Sequence, residues 1–489
     1  MTILSSDARI ILDTFSLTDM DVERVSTENI NGLVNVKITI ISQPFPCPVC
    51  GCESPKIKDY RDKRITHSAL TNNACTLVYH ARRYLCPVCG RTYYERNPFV
   101  FKKQKISTLT VKKVLEDLKS PNETFTSVAE RYHISPTSAA AIFDEHVEMP
   151  ALKLPKYLSI DEAYAFRSDD SKYVCMILDY LTQEPVDLLP SRKKKDLLEY
   201  FKRIPYDERN EVIMVNTDMY DVYRQVFKSV FKSYVHSVDR FHASQELHRR
   251  LDRVRIDVMK KYAGSAPPGR HDSSDEYYLL KHMNWILMKR PDAKDKDGSL
   301  LFDPLRPGKY NYHFKTELNY CELREKLLSI DAGLTEAEGL KNKFVDFYEN
   351  NTYDTAEAAL SELIKAFLKS HVSEMREFAK TLLKWRIEII NSFIVLDYSY
   401  EVDKSTGQVD ALPKRMNAAL IERKNGTLKL LKKGSMGYKN WDRFRNRCLY
   451  VLRKNATYRL NPIDKPKEDL KYVRAKKKKL PKEKKKRKD

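Results

Sequence analysis

The pentapeptide Cys-Pro-Val-Cys-Gly occurs twice, at 47–51 and at 86–90. Paired Cys-x2-Cys turns offer four thiolates to a tetrahedral ion, and proline and glycine let the backbone fold around it. Cys47, Cys50, Cys86 and Cys89 are therefore the expected Zn2+ ligands. Cys52 and Cys75 are spare, and His67 and His80 are alternative ligands in principle. A different chemistry is suggested where apolar runs end on acids. "SIDEAY" carries Asp161, "VNTDMYDVY" carries Asp218 and "SVDRFH" carries Asp239. Two carboxylates a few ångström apart raise each other's pKa unless a cation sits between them. Mg2+ suits such a pair, since it takes hard oxygen ligands and keeps positions open for phosphate oxygens. Asp218 has a rival explanation as the cap of the helix that follows. Asp239 is either a third acid or a partner of Arg240.

These residues need elements that bring them together. "KYLSIDEAY", "KYVCMILDY" and "EPVDLLP" read as strands of a meander. "SRKKKDLLEYFKRIP" reads as a helix and "EVIMVNTDMY" as a strand, with Val212–Val215 buried on both faces. A helix over Val222–Phe231 then leads to a strand ending at Asp239. The order is β-β-β-α-β-α-β, and Asp161 and Asp218 leave adjacent central strands. Before the second cysteine pair, "ACTLVYHARRYLC" alternates as a hairpin strand. Three helices are expected next. Val111, Val114, Leu115 and Leu118 line the first, Thr126–Tyr132 forms the second, and the third starts at Pro136 with Ser135 as its cap. This is the pattern that sets a recognition helix in a DNA groove, with Thr137 and Ser138 free to meet it.

About 180 residues of helical texture separate Asp239 from a late helix around "RMNAALIERKNGTLKLL". Met416, Ala419 and Leu420 form its apolar stripe, and Ala418, Glu422, Asn425 and Lys429 share another face. Gly426 predicts a break or a close backbone approach there. Trp285 and Trp385 are assigned to the core.

The chain has 489 residues, a formal charge of +21 and a pI near 9.3, which favours a polyanionic partner. Lys471–Asp489 holds twelve Lys/Arg against two acids, +10 of that total. It reads as a solvated tail or a non-specific DNA contact. No apolar run reaches the roughly 20 residues that span a bilayer, and acids interrupt the N-terminal segment, so a soluble cytoplasmic protein is expected.

Taken together, the cysteine pairs, the three-helix pattern, "SIDEAY", "VNTDMYDVY", "SVDRFH" and "ERKNGTLKLLKKGSMGYKNWDRFRNRCL" resemble the DDE transposases of bacterial insertion sequences, of the IS-L-three family. The resemblance implies a multidomain α/β protein. Its parts would be a zinc ribbon (1–100), a helix-turn-helix (101–150), an RNase H-like mixed sheet (155–245 and 396–455) interrupted by a helical insertion (246–395), and a basic tail (456–489). It implies that Asp161, Asp218 and Glu422 hold Mg2+ or Mn2+ for DNA cleavage and strand transfer. Arg240, His242 and Lys429 are candidate phosphate contacts. The partners would be double-stranded DNA, at element ends and target, and further copies of the chain in a nucleoid-associated homo-oligomer, with no membrane. This chain reads "ERKN" where the family has Glu-Gly-x-Asn. The rival readings are a DNA-binding regulator with vestigial acids and an RNase H-like nuclease without strand transfer.

Overall fold

The structure is a computed structural model that describes Phe15 and residues 21–42, 46–68, 74–101, 104–166, 171–263, 274–396, 400–402, 409–411, 414–435 and 438–463. The basic run Lys471–Asp489 lies outside the described residues. Two compact units emerge, one from Met1–Pro150 with Gly426–Asp489 and one from Ala151–Asn425.

The first unit begins with strands β1 (Val22–Ile30) and β2 (Leu33–Ile40). Asn31 and Gly32, both at positive φ, make the two-residue turn between them. Strand β3 (Lys56–Thr66) pairs antiparallel with β4 (Cys75–Leu85), β4 lies parallel to β2, and β5 (Thr92–Tyr94) joins β4. Val36, Ile38, Leu77, Tyr79 and Phe99 form the buried core of this sheet. Three short helices follow. Helix α1 (Thr108–Asp117) is capped by Ser107, α2 (Phe125–Arg131) by Thr124, and α3 (Pro136–His146) by Ser135 with Pro136 in its first turn. His133, at φ +51, turns the chain between α2 and α3.

The second unit holds a five-stranded sheet in the order β10-β9-β6-β7-β8. Its strands are β6 (Tyr157–Ala163), β7 (Val174–Asp179), β8 (Pro185–Leu189), β9 (Met214–Thr217) and β10 (Val235–Val238). The first three form an antiparallel meander, and β9 and β10 run parallel to β6. Helices α4 (Lys194–Arg203), α5 (Tyr206–Asn210) and α6 (Asp221–Val230) supply the crossovers. Leu197, Phe201, Tyr223 and Phe227 pack on Leu158, Ile160 and Val215, covering one face. The strand expected over Val212–Val215 starts two residues later. Ile213 is 45% exposed, because only β9 itself is enclosed by β6 and β10.

Helix α7 (Arg240–Lys261) opens a helical region with its own core. It continues through α8 (Asp275–His282), α9 (Asn284–Met288), a small hairpin of β11 (Lys309–Asn311) and β12 (Thr316–Leu318), α10 (Tyr320–Leu328), α11 (Ala332–Asn350), α12 (Tyr353–Leu368), α13 (Ser373–Lys384) and α14 (Arg386–Asn391). Trp385 is buried in that core and Trp285 packs partly buried against it. Short strands β13 (Val395–Leu396), β14 (Tyr400–Val402), β15 (Val409–Ala411) and β16 (Lys414–Arg415) lead to α15 (Ala419–Gly434). Met416 precedes this helix rather than lining it. Its side chain joins Met214, Tyr180 and Leu396 in a small cluster. The helix runs unbroken through Gly426, and no atom lies within 4 Å of the position a Cβ would take there. The expected break or close approach is absent because Ile421, Leu428 and Leu431 stay buried along its length.

The last described helix, α16 (Trp441–Leu452), returns to the first unit. Its fully buried Arg447 donates to the carbonyls of Ser120 and Glu123 at 2.9 and 3.0 Å. In the other direction, Lys119 Nζ donates to the carbonyls of Tyr450 and Arg453 at 2.6 and 2.8 Å, where the helix ends. Tyr450 packs edge-on against Phe143, and its hydroxyl bonds the Leu115 carbonyl at 3.0 Å. Residues expected to close the acidic domain, 396–455, thus divide between the two units at 425/426.

Candidate functional site

Three aspartates occupy one level of the sheet. Strands β6 and β9 pair Ser159 with Asn216, so continuing that register by two residues sets Asp161 beside Asp218. Strands β9 and β10 pair Thr217 with Val238, so one further step sets Asp239 beside Asp218. Parallel strands in register present equivalent residues to the same face. That face is opposite to the one covered by α4 and α6. Glu162, the next residue on β6, leaves on the α6 side, where the Tyr223 hydroxyl donates to it at 2.5 Å.

The helix α15 closes on the acid face at two points. Asn425 Nδ2 donates to Asp161 Oδ2 at 2.8 Å, and the Ala418 N–H donates to Asp239 Oδ2 at 2.6 Å. Glu422 lies between these anchors, one turn after Ala418 and three residues before Asn425, and is half-buried. Asp239 Oδ1 accepts from the Phe241 N–H at 2.6 Å, so it caps α7. Both of its oxygens bond backbone. Its role is to join α7 and the start of α15, not to pair with Arg240, which bonds Glu349 and lies over Tyr348.

Asp218 does not cap α6. Tyr220 holds that position without a side-chain bond, and Asp218 Oδ1 accepts from the Tyr220 N–H at 3.1 Å in the loop before it. Burial pushes the Asp218 carboxyl up to about 8, and Glu162 and then Asp161 add to the shift, with Arg192 opposing. Burial likewise raises Glu162 and Asp239. The donor set of the acids is all oxygen. It fits a hard divalent cation. His242 Nε2 stands 3.9 Å from Asp161 Oδ1. It shares a cavity of about 340 Å3 with Asp218, Arg249, Lys384 and Trp385.

The four expected cysteines converge. Their sulfurs all lie within 4.8 Å of one another, with Cys47 and Cys89 at 3.7 Å and Cys50 and Cys86 at 3.4 Å. A tetrahedron of roughly 2.3 Å Zn–S bonds has edges of about 3.8 Å. The two turns share one bond pattern: Gly51 to Cys47 and Gly90 to Cys86, Cys47 to Cys52 and Cys86 to Arg91. Both glycines are at positive φ. The Cys89 and Val88 N–H groups, opposed by burial, hold the Cys86 thiol down at about 6. Cys50, despite a bond from the Cys52 N–H, is pushed up to about 12 by its contact with Cys86. Cys75 sits in the β4 core, His67 bonds Ser107 at 2.8 Å, and His80 bonds Asp62 at 2.6 Å. None of these joins the set.

Among the other expected contacts, Thr137 is exposed, but Ser138 is half-buried and its hydroxyl bonds Ser135 at 2.8 Å. It belongs to the cap and is not free. Lys429 is exposed on α15. Sequence reading gave Glu162 no role and missed Arg192, and Asn425 drew notice for its place on the Glu422 face and in the "ERKN" stretch. The adjacency of Glu162 to Asp161 was its signal; nothing local marks Arg192.

Residues 158–399, which carry all three aspartates, match a family described as "Transposase", of the DDE, IS-L-three type. That segment belongs to the IS-L-three transposases. The transposase for insertion sequence element IS1001 of Bordetella parapertussis is 21% identical over 290 residues, 58% of this chain and 68% of its own length. The transposase match ends before Glu422, so α15 enters the site on geometry alone. Among the described residues no helix is long and apolar enough to cross a membrane.

Proposed function

We propose that this chain is a metal-dependent DNA transposase, cutting DNA at the ends of a mobile element and joining them to a target. The observation that carries this is the row Asp161, Asp218 and Asp239 on three parallel strands, with the helix of Glu422 bonded to its two outer members. The strand order and the long helical region between Asp239 and Glu422 support an RNase H-like catalytic domain with an insertion. The zinc set and the α1–α3 helices support a DNA-binding unit, with α3 as the groove-reading helix.

In this reading Asp161, Asp218 and Glu422 hold Mg2+ or Mn2+, which supplies Lewis-acid stabilisation of the attacking and leaving oxygens of a phosphodiester. Asn425 engages one oxygen of Asp161 and so fixes the orientation of the other toward His242. Asp239 anchors the start of α15, which sets where Glu422 stands. His242, Arg249 and Lys384 surround the adjoining cavity with groups suited to a phosphate chain.

Asp161→Asn, Asp218→Asn and Glu422→Gln keep shape and remove charge. Each is expected to retain DNA binding and the wild-type melting temperature while Mg2+-dependent nicking falls on the order of 10^3-fold or more, and the losses should not add. Undiminished nicking by Asp218→Asn would remove it from the site. Nicking without joining of the cut ends to target DNA would leave a nuclease, and no nicking by the wild type would leave a DNA-binding regulator.

A further inference from the structure

Arg192 lies on the loop between β8 and α4, and no part of the reading above uses it. Its guanidinium carbon is 4.6 Å from the centre of the Tyr173 ring and 4.7 Å from that of Tyr220. Both distances are within the range for cation–π contact. Nη1 donates to Glu162 Oε2 at 3.4 Å, and Glu162 is itself held by the Tyr223 hydroxyl. Two rings and one carboxylate thus fix the plane and position of the fork. The side chain nevertheless keeps 32% exposure, whereas Glu162 keeps 6%. Arginine carries five N–H donors, and among the described residues one of them makes a long bond to Glu162.

The placement matters as much as the clamp. Arg192 lies over the ring of Tyr220, whose N–H donates to Asp218 Oδ1 at 3.1 Å, and its carboxylate partner Glu162 is the chain neighbour of Asp161. His242 approaches the acid row from α7, while Arg192 approaches from the face of Glu162 and Tyr223. Lys193, Lys194 and Lys195 follow it at the start of α4, which has no side-chain cap. A cation buried only to satisfy Glu162 would not need two aromatic walls and an open edge. A planar fork held still beside a carboxylate centre is the arrangement that binds a phosphodiester oxygen pair bidentately.

We propose that Arg192, held by Tyr173, Tyr220 and Glu162, is a phosphate-binding site for the DNA strand beside the scissile bond. This rests on the reading that DNA enters the acid site. Its task is to hold one phosphate adjacent to the reacting one, and so fix the strand's register over Asp161 and Asp218.

The test is a scan of oligonucleotides in which one phosphate at a time is replaced by a neutral methylphosphonate. It is read first as binding in Ca2+ and then as cleavage in Mg2+, for wild type, Arg192→Lys and Arg192→Ala. Wild type should lose about tenfold in affinity at one position near the cleavage site, roughly the value of one charge-assisted contact. Arg192→Ala should lose as much on unmodified DNA and nothing more at that position, and Arg192→Lys should recover only part, since it lacks the fork. Melting temperatures of the variants guard against a folding effect. If Arg192→Ala is weakened equally at every modified position, or not at all, the proposal is overturned. Coupling in binding with no cleavage by the wild type would overturn the transposase reading and leave the phosphate site standing.

Discussion

The two units carry two clusters, a cysteine set that fits zinc and the acid set proposed to hold a divalent cation, and they are built in opposite ways. The cysteine set comes from two five-residue turns, each closed by its own backbone bonds and its own positive-φ glycine. Only β3, β4 and the loop between them separate one turn from the other. The acid set is drawn from three strands and a helix that begins 180 residues after Asp239. Asp161 and Asp239 are not held by their neighbours in sequence alone; Asp161 needs Asn425, and Asp239 needs Ala418. A local site can form before the fold is complete, and its metal can then stabilise the fold. A site made by register exists only once the sheet and the last helix are in place.

The largest effect should separate the two at once. Cys86→Ser is expected to abolish zinc binding and unfold the first unit, since structural zinc is worth about 10–16 kcal/mol in small zinc domains. Limited proteolysis should then digest 21–150 while sparing 151–425. Freshly purified wild type without zinc by metal analysis would break the comparison.

Acid should strain both units by the same mechanism. His67 in the first and His236 in the second are buried, and desolvation depresses each to about 4, with Arg224 adding to the effect at His236. Among the described residues, each also keeps one ring nitrogen without a hydrogen-bond partner, consistent with a neutral ring. An unfolded histidine takes up its proton near pH 6.5, so the stability due to a neutral buried ring is full above that pH. It falls as pH drops from about 6.5 to 4 and levels off below. The limit is about 3 kcal/mol for each ring. Denaturant titrations at pH 7 and pH 4.5 measure the fall, and His236→Gln should flatten it in the second unit alone.

Asp239→Asn sharpens the contrast within the acid site. It replaces one of two acceptor oxygens with a donor facing a backbone N–H, a cost of about 1–3 kcal/mol. Melting temperature should fall, and nicking should weaken far less than for Asp218→Asn. Equal losses would make Asp239 a metal ligand. The smallest effect is a gain. Gly426→Ala meets open space in mid-helix and should raise stability by about 0.8–1 kcal/mol with nicking unchanged.

What could be read from sequence follows the same division. The repeated "CPVCG" names all four ligands because the chemistry is local. The helix cap Ser135 and the alternating strands are visible for the same reason. Asn31-Gly32 was equally visible as a hairpin turn and was overlooked. The strand order around Asp161 and Asp218 could be anticipated from element order. The alignment of Asp239 with them could not, because register depends on which residues of β9 and β10 face each other. Asn425 and Arg192 were out of reach for a stronger reason. Their partners, Asp161 and the Tyr173–Tyr220 pair, are distant in sequence, and although Asn425 stands in the "ERKN" stretch, nothing local names the residues that either position contacts. The docking of α16 against α1 and α3 was likewise hidden, since a basic, amphipathic stretch does not say what it packs on.

That docking bears on how the protein is made at the ribosome. Leu115, Phe143 and Lys119 wait for Tyr450 and Arg453, yet residues 151–440 are synthesised in between. At roughly 5–20 residues per second the delay is about 15–60 s. Throughout that interval the three-helix module lacks its fourth wall, while the acid unit can already be assembling its strands. A nascent chain would thus have its sheet in hand before the three-helix module of the first unit is finished.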